Sequence, residues 1–142
     1  MTASGHKILV VDDEQNMRIA LYEALSRNGY EVSVAENGQM ALEMVEKSPP
    51  DMLITDIKMP NLDGIELLRR IKAIRPSLPV VIVTGFATVD TAVEAMKQGA
   101  VDYIIKPFSV EVIEETVARV FAAGGAVGVS TGGSPKAKPV AL

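Results

Sequence analysis

Five short pieces of the chain carry side chains that could do chemistry: Asp12-Asp13, Asp56, Thr84, Tyr103 and Lys106-Pro107. Three carboxylates, a hydroxyl and an ammonium among them lie where apolar runs stop. Two carboxylates ~4 Å apart repel by about 4 kcal/mol at an effective dielectric of ~20. A fold keeps such a cluster for a cation, a proton or a function. With oxygen ligands alone, hard cations fit best, and Mg²⁺ combines one or two carboxylates with water and phosphate oxygens. No D-x-[DN]-x-[DN]-G loop is present to suggest a dedicated Ca²⁺ site. Such charges around one carboxylate point to chemistry on an anion such as phosphoryl. Each residue alone has an ordinary explanation. An acid can cap a helix, a threonine can end a strand, a lysine can be a solvated surface charge, and tyrosine favours strands.

The elements that would position these residues alternate five times. Lys7–Val11, Glu31–Ala35, Asp51–Thr55, Pro79–Val83 and Asp102–Ile105 read as strands, nearly apolar throughout, as expected for parallel strands covered on both faces. Helical spacing fills the gaps. Met17, Leu21, Ala24 and Leu25 share a face before Gly29; Ala41, Met44 and Val45 precede Pro49-Pro50. Asp63 is placed to cap a third helix bearing Leu67, Leu68, Ile71 and Ile74. Val89, Ala92, Val93 and Met96 mark a fourth, stopped by Gly99, and Ser109 is placed to cap a fifth with Ile113, Val117, Val120 and Phe121. The fold class expected is α/β: a flavodoxin-like doubly wound (βα)5 unit with a five-stranded parallel sheet in order 2-1-3-4-5. In that order the first and third strands are neighbours, so Asp12, Asp13 and Asp56 meet at the carboxyl ends of the strands, where open α/β sheets bind ligands. The Lys106-Pro107 bond is a candidate for the cis isomer, which would aim the lysine inward.

The totals narrow the classes. A chain of 142 residues, 48% hydrophobic and 23% charged, holds one globular domain. Residues 1–6 read as an N-terminal tail, 7–123 as the folded domain, and the Gly-, Ser- and Pro-rich 124–142 as a flexible tail or truncated linker. The net charge of −4 argues against direct nucleic-acid binding. The absence of cysteine excludes disulfides, thiol catalysis and thiolate metal sites, and the single His6 excludes a histidine metal site or triad. No apolar run reaches the ~20 residues of a membrane span, and no signal-peptide pattern opens the chain, so a cytoplasmic protein is expected.

The set DD…TDIKMPNLDG…VTG…DYIIKPF resembles the receiver domain of bacterial two-component response regulators, over roughly Lys7 to Phe121. The resemblance implies Asp56 as phospho-acceptor from a sensor histidine kinase or small donors such as acetyl phosphate. It implies Mg²⁺ (or Mn²⁺) held by Asp13 directly, by Asp12 largely through water, by Asp56 and by the Lys58 carbonyl. Thr84 and Lys106 would bind the phosphoryl oxygens, and Thr84 with Tyr103 would form the switch. Lys58 and Phe86 occupy positions that vary in the family and would tune lifetime. The stretch TGFATVDTAVEAMKQGAVDYIIKPF is most similar to NtrC-type receivers. Those precede AAA+ and DNA-binding domains that activate σ54-dependent transcription. That implies possible output domains absent here, and a possible homodimer through the fourth helix, fifth strand and fifth helix. Such a domain assists its own modification and is not a turnover enzyme.

Three rival readings fit less well. A haloacid dehalogenase-type phosphatase needs a second Asp two residues after the nucleophile, where this chain has Lys58 after Asp56 and Glu14 after Asp12. A dinucleotide or flavin binder lacks its G-x-G-x-x-G or Walker loop, and the acidic loop after the first strand would repel phosphate. A module that never takes phosphate leaves the acidic set, Thr84 and Lys106 unexplained.

Overall fold

The computed structural model describes residues 5–123. The expectation for 124–142 falls outside the described residues, as does that for 1–4. Five strands, β1 (Lys7–Val11), β2 (Glu31–Ala35), β3 (Met52–Thr55), β4 (Val80–Thr84) and β5 (Asp102–Ile105), alternate with five helices. These are α1 (Gln15–Arg27), α2 (Gly38–Lys47), α3 (Gly64–Ile74), α4 (Val89–Lys97) and α5 (Val110–Ala122). All strand pairs are parallel, in the order β2-β1-β3-β4-β5.

Side chains alternate across the central strands, so each strand feeds two apolar layers. Leu9, Val11, Leu53, Val80 and Ile82 meet Ala41 and Val45 of α2, Leu67, Leu68 and Ile71 of α3 and Ala95 of α4. Ile8, Val10, Met52, Ile54, Val81 and Val83 meet Leu21 and Leu25 of α1 and Ile113, Val117 and Val120 of α5. Burial on both faces explains the unbroken apolar runs of β1, β3 and β4. The two edge strands depart from that expectation. Val34 is 38% exposed and Ile105 57%, because the flanking helices do not cover the sheet margins fully.

Local signals set the helix limits. Gly29 (φ +94°) and Gly99 (φ +102°) adopt the left-handed conformation that ends α1 and α4. The Asp63 side chain accepts from the Glu66 amide and Asn37 from that of Met40, both N-caps. Ser109 occupies the N-cap position of α5 but makes no side-chain cap bond. Its carbonyl accepts from the Val112 amide instead. β4 begins and ends one residue later than the sequence suggests. Pro79 has no amide to give, and only its carbonyl joins the ladder, accepting from Leu53 N–H. β3 likewise starts at Met52, Asp51 pairing with Lys7 from outside the strand.

His6 already belongs to the folded body. Its ring stacks on Phe121 with centroids 4.1 Å apart, and its carbonyl accepts from Glu31 N–H.

Candidate functional site

The strand register assembles the site. Val11 pairs with Thr55, so Asp12 and Asp56 leave the sheet side by side. Their amides extend the ladder: Asp12 donates to the Ala35 carbonyl, Asp56 to that of Val11. Thr84 pairs with Ile105, and the Lys106 amide donates to the Thr84 carbonyl. All four residues thus share the carboxyl edge of the sheet.

Asp12 is 3% exposed and Asp56 6%, while Asp13 points to solvent. Lys106 Nζ donates to Asp12 Oδ2 and Asp56 Oδ2, both at 3.0 Å. The other oxygens are held by backbone: Asp12 Oδ1 accepts from Glu14 N–H at 2.9 Å, Asp56 Oδ1 from Ile57 N–H at 2.6 Å. The Lys106–Pro107 peptide is cis, as expected. Burial pushes the Asp12 carboxyl above the ordinary aspartate range, outweighing the Glu14 amide and the Lys106 ammonium, which pull it down. Burial alone would lower Lys106, but its hydrogen bonds to Asp12 and Asp56 outweigh this and hold the ammonium above the ordinary lysine range. Among the described residues, one ammonium pairs with the two buried acids while the exposed Asp13 lies beside them, so the corner is short of positive charge.

Asp12, Asp13 and Asp56 each offer a carboxylate oxygen within 4.8 Å of the others. An all-oxygen donor set of this compactness and negative charge suits a hard divalent cation. The β3–α3 loop that carries Lys58 is pinned by buried Ile57, Met59 and Leu62. Gly64 closes it, donating its amide to the Ile57 carbonyl at 2.7 Å. A Cβ on Gly64 would drive into the Asp56 carbonyl, so glycine is demanded by close approach. Exposed Lys58 places Nζ 4.7 Å from the Phe86 ring centroid, spanning the β3–α3 and β4–α4 loops.

Thr84 is fully buried, and its Oγ1 accepts from Phe86 N–H at 3.0 Å. Tyr103 lies apart from the acids. It is half-buried against the α2–α3–α4 layer, with its hydroxyl 2.9 Å from Thr91 Oγ1. Two partners were not singled out from the sequence. Arg18 Nη1 donates to the Asp12 carbonyl at 2.8 Å, fixing the end of β1. A basic residue in the opening turns of a helix, against the dipole, is the signal that marks it. Thr91 is the other; Thr88-x-x-Thr91 has the outline of a capping box, which the structure contains.

The response regulator receiver domain model matches residues 8–118. The chain is 45% identical over 122 residues to the transcriptional regulatory protein ZraR of Klebsiella oxytoca, covering 86% of this chain and 28% of that protein. It is 44% identical over 113 residues to the DNA-binding transcriptional regulator NtrC of Escherichia coli, covering 80% of this chain and 24% of NtrC. It therefore spans about a quarter of the length of these two relatives. The crystal structure of the NtrX receiver domain from Brucella abortus superposes with a TM-score of 0.77 at 37% identity, covering 81% of this chain and 98% of that one. Sheet order, acidic strand tips and these likenesses agree: the chain belongs to the response regulator receiver domain family, on its NtrC-like side.

Proposed function

We propose that Asp56 is the phospho-acceptor, taking a phosphoryl group from a phosphohistidine of a sensor histidine kinase or from a small acyl phosphate. The observation that carries this reading is the buried Asp56 carboxylate, held 3.0 Å from Lys106 Nζ beside Asp12 at neighbouring strand tips. An Asp56 carboxylate oxygen attacks phosphorus. The phosphorus–nitrogen bond of the donor breaks, and its electron pair leaves with the imidazole. Position and charge dominate such transfers. Lys106 turns from its two carboxylates to the new phosphoryl oxygens. Thr84 offers another oxygen its hydroxyl proton, which is uncommitted among the described residues because Oγ1 only accepts. A divalent cation, Mg²⁺ or Mn²⁺, held by Asp12, Asp13, Asp56 and the Lys58 carbonyl would neutralise charge on the transferring group. The acyl phosphate is open to water, so the modified state is temporary and the domain acts as a switch that assists its own reset.

Thr84 and Tyr103 would then carry the signal to the α4–β5–α5 face, which meets a second copy or output domains of the AAA+ and DNA-binding kinds. ZraR and NtrC, named as transcriptional regulators, support a transcriptional output. Among the described residues no helix is long and apolar enough to cross a membrane. The test is Asp56→Asn, expected to abolish Mg²⁺-dependent uptake of phosphate from acetyl phosphate. Undiminished uptake would move the acceptor elsewhere.

A further inference from the structure

Between Thr84 and Tyr103 lies a side chain that the family reading leaves without a role. Thr91, half-buried in the first turn of α4, has an oxygen within 3.4 Å of five partners: Thr88 N, Thr88 Oγ1, Thr88 O, Phe86 O and Tyr103 OH. A hydroxyl has one proton to donate and two lone pairs, so it serves three of these at a time. Its hydrogen bonds are therefore oversubscribed and must be reallocated when the loop moves. The loop in question is 85–88, and Phe86 joins its two ends. The Phe86 amide donates to Thr84 Oγ1 at 3.0 Å, while its carbonyl lies 3.4 Å from Thr91 Oγ1, the longest of the five contacts.

We infer that Thr91 is a positioning residue that relays the state of the phosphorylation site to Tyr103 through Phe86. The inference rests on the reading of Asp56, Thr84 and Tyr103 given above. The Thr84 main chain is fixed in the sheet, with its carbonyl accepting from the Lys106 amide, so only its hydroxyl is free to turn. Turning toward a phosphoryl oxygen leaves the Phe86 amide without its acceptor, and a main-chain donor in that position shifts to find another. The Phe86 carbonyl, on the next peptide, is carried along through the shared Cα, and the Thr91 hydroxyl redistributes its bonds. Tyr103 loses the tie that holds its ring, and the capping box at the start of α4 loosens in the same step. The tie belongs to the arrangement in which Lys106 is paired with Asp12 and Asp56 and Thr84 with its own loop. Removing a contact made in only one of two states shifts the balance toward the other, and a ligand selecting that other state binds more tightly.

The experiment uses the whole chain with Mg²⁺ and beryllofluoride as a phosphoryl mimic, followed by NMR. Thr91→Val is expected to bind the mimic about 2- to 10-fold more tightly, the share of one neutral hydrogen bond. The Ile57 amide should respond as in the parent, while the Tyr103 ring loses most of its response. Thr91→Ser, which keeps the hydroxyl, should restore both. Tyr103→Phe removes the same tie from its other end and keeps the test open if Thr91→Val folds poorly. The double variant should bind no more tightly than either single one. Parental affinity and ring response in Thr91→Val would overturn the inference. So would Thr88→Ala reproducing the effect while Tyr103→Phe does not, since helix fraying would then be the cause. A parent protein that ignores the mimic, or an Asp56→Asn variant that still binds it, would overturn the reading of Asp56, and the relay with it.

Discussion

At the scale of single residues, the acidic corner trades stability for charge. Asp13 is exposed but keeps an oxygen within 4.8 Å of those of Asp12 and Asp56, which among the described residues share the one cation of Lys106. Without divalent cation, Asp13→Asn should stabilise the fold by up to about 1 kcal/mol at low ionic strength, and less as salt screens the cluster. The same variant should lose most of the stabilisation that Mg²⁺ gives the parent. Denaturant titrations with and without Mg²⁺ measure both. Asp12 adds a dependence on pH. An acid raised above its ordinary range takes up a proton more readily folded than unfolded. Its contribution is therefore greatest in acid and is lost as pH rises from the ordinary aspartate range through the raised value. In metal-free buffer the stability advantage of Asp12→Asn over the parent should grow across that window. An advantage that shrank with rising pH would contradict the burial argument.

At the scale of elements, the β3–α3 connection works as a clamp. Buried Met59 and Leu62 anchor it, and Gly64 lets the start of α3 touch the Asp56 backbone. Gly64→Ala should cost about 3 kcal/mol and slow phosphoryl uptake, because the methyl can be housed only by displacing Asp56. A melt together with an uptake rate checks this; normal uptake in a destabilised variant would separate the clamp from the chemistry. The five βα units were legible in the sequence because parallel strands buried on both faces leave unbroken apolar runs, and because Gly29, Gly99 and Asp63 mark helix ends through backbone chemistry. Asp12, Asp56, Thr84 and Lys106 were legible for a related reason: the strand order fixes which strand ends adjoin. The contacts of Arg18 and Thr91 were not. Each joins a side chain to a loop carbonyl, and that depends on rotamers and loop path that no periodicity encodes. The one-residue shift of β4 shows a smaller form of the same limit, since Pro79 looks like strand by composition but cannot donate to a ladder.

At the scale of the molecule, one face stands out. Val89 is 79% exposed, Val93 51% and Met96 50% on α4, with Ile105 of β5 beside them at 57%. An apolar strip of this kind suits a second copy or an output domain. If phosphorylation controls pairing through α4–β5–α5, beryllofluoride should make association depend on concentration, and Val93→Glu should abolish that association while leaving uptake of phosphate intact. Sedimentation decides it; unchanged pairing in Val93→Glu would place the interface elsewhere. The stacking of His6 on Phe121 has a separate consequence. It fastens the residue before β1 and the last turn of α5 together on the rim of the sheet away from the acids. A dye placed at Gly5 or Ala123 would therefore sit at the opposite end of the sheet from Asp12, Asp56 and Lys106 and leave that corner uncovered.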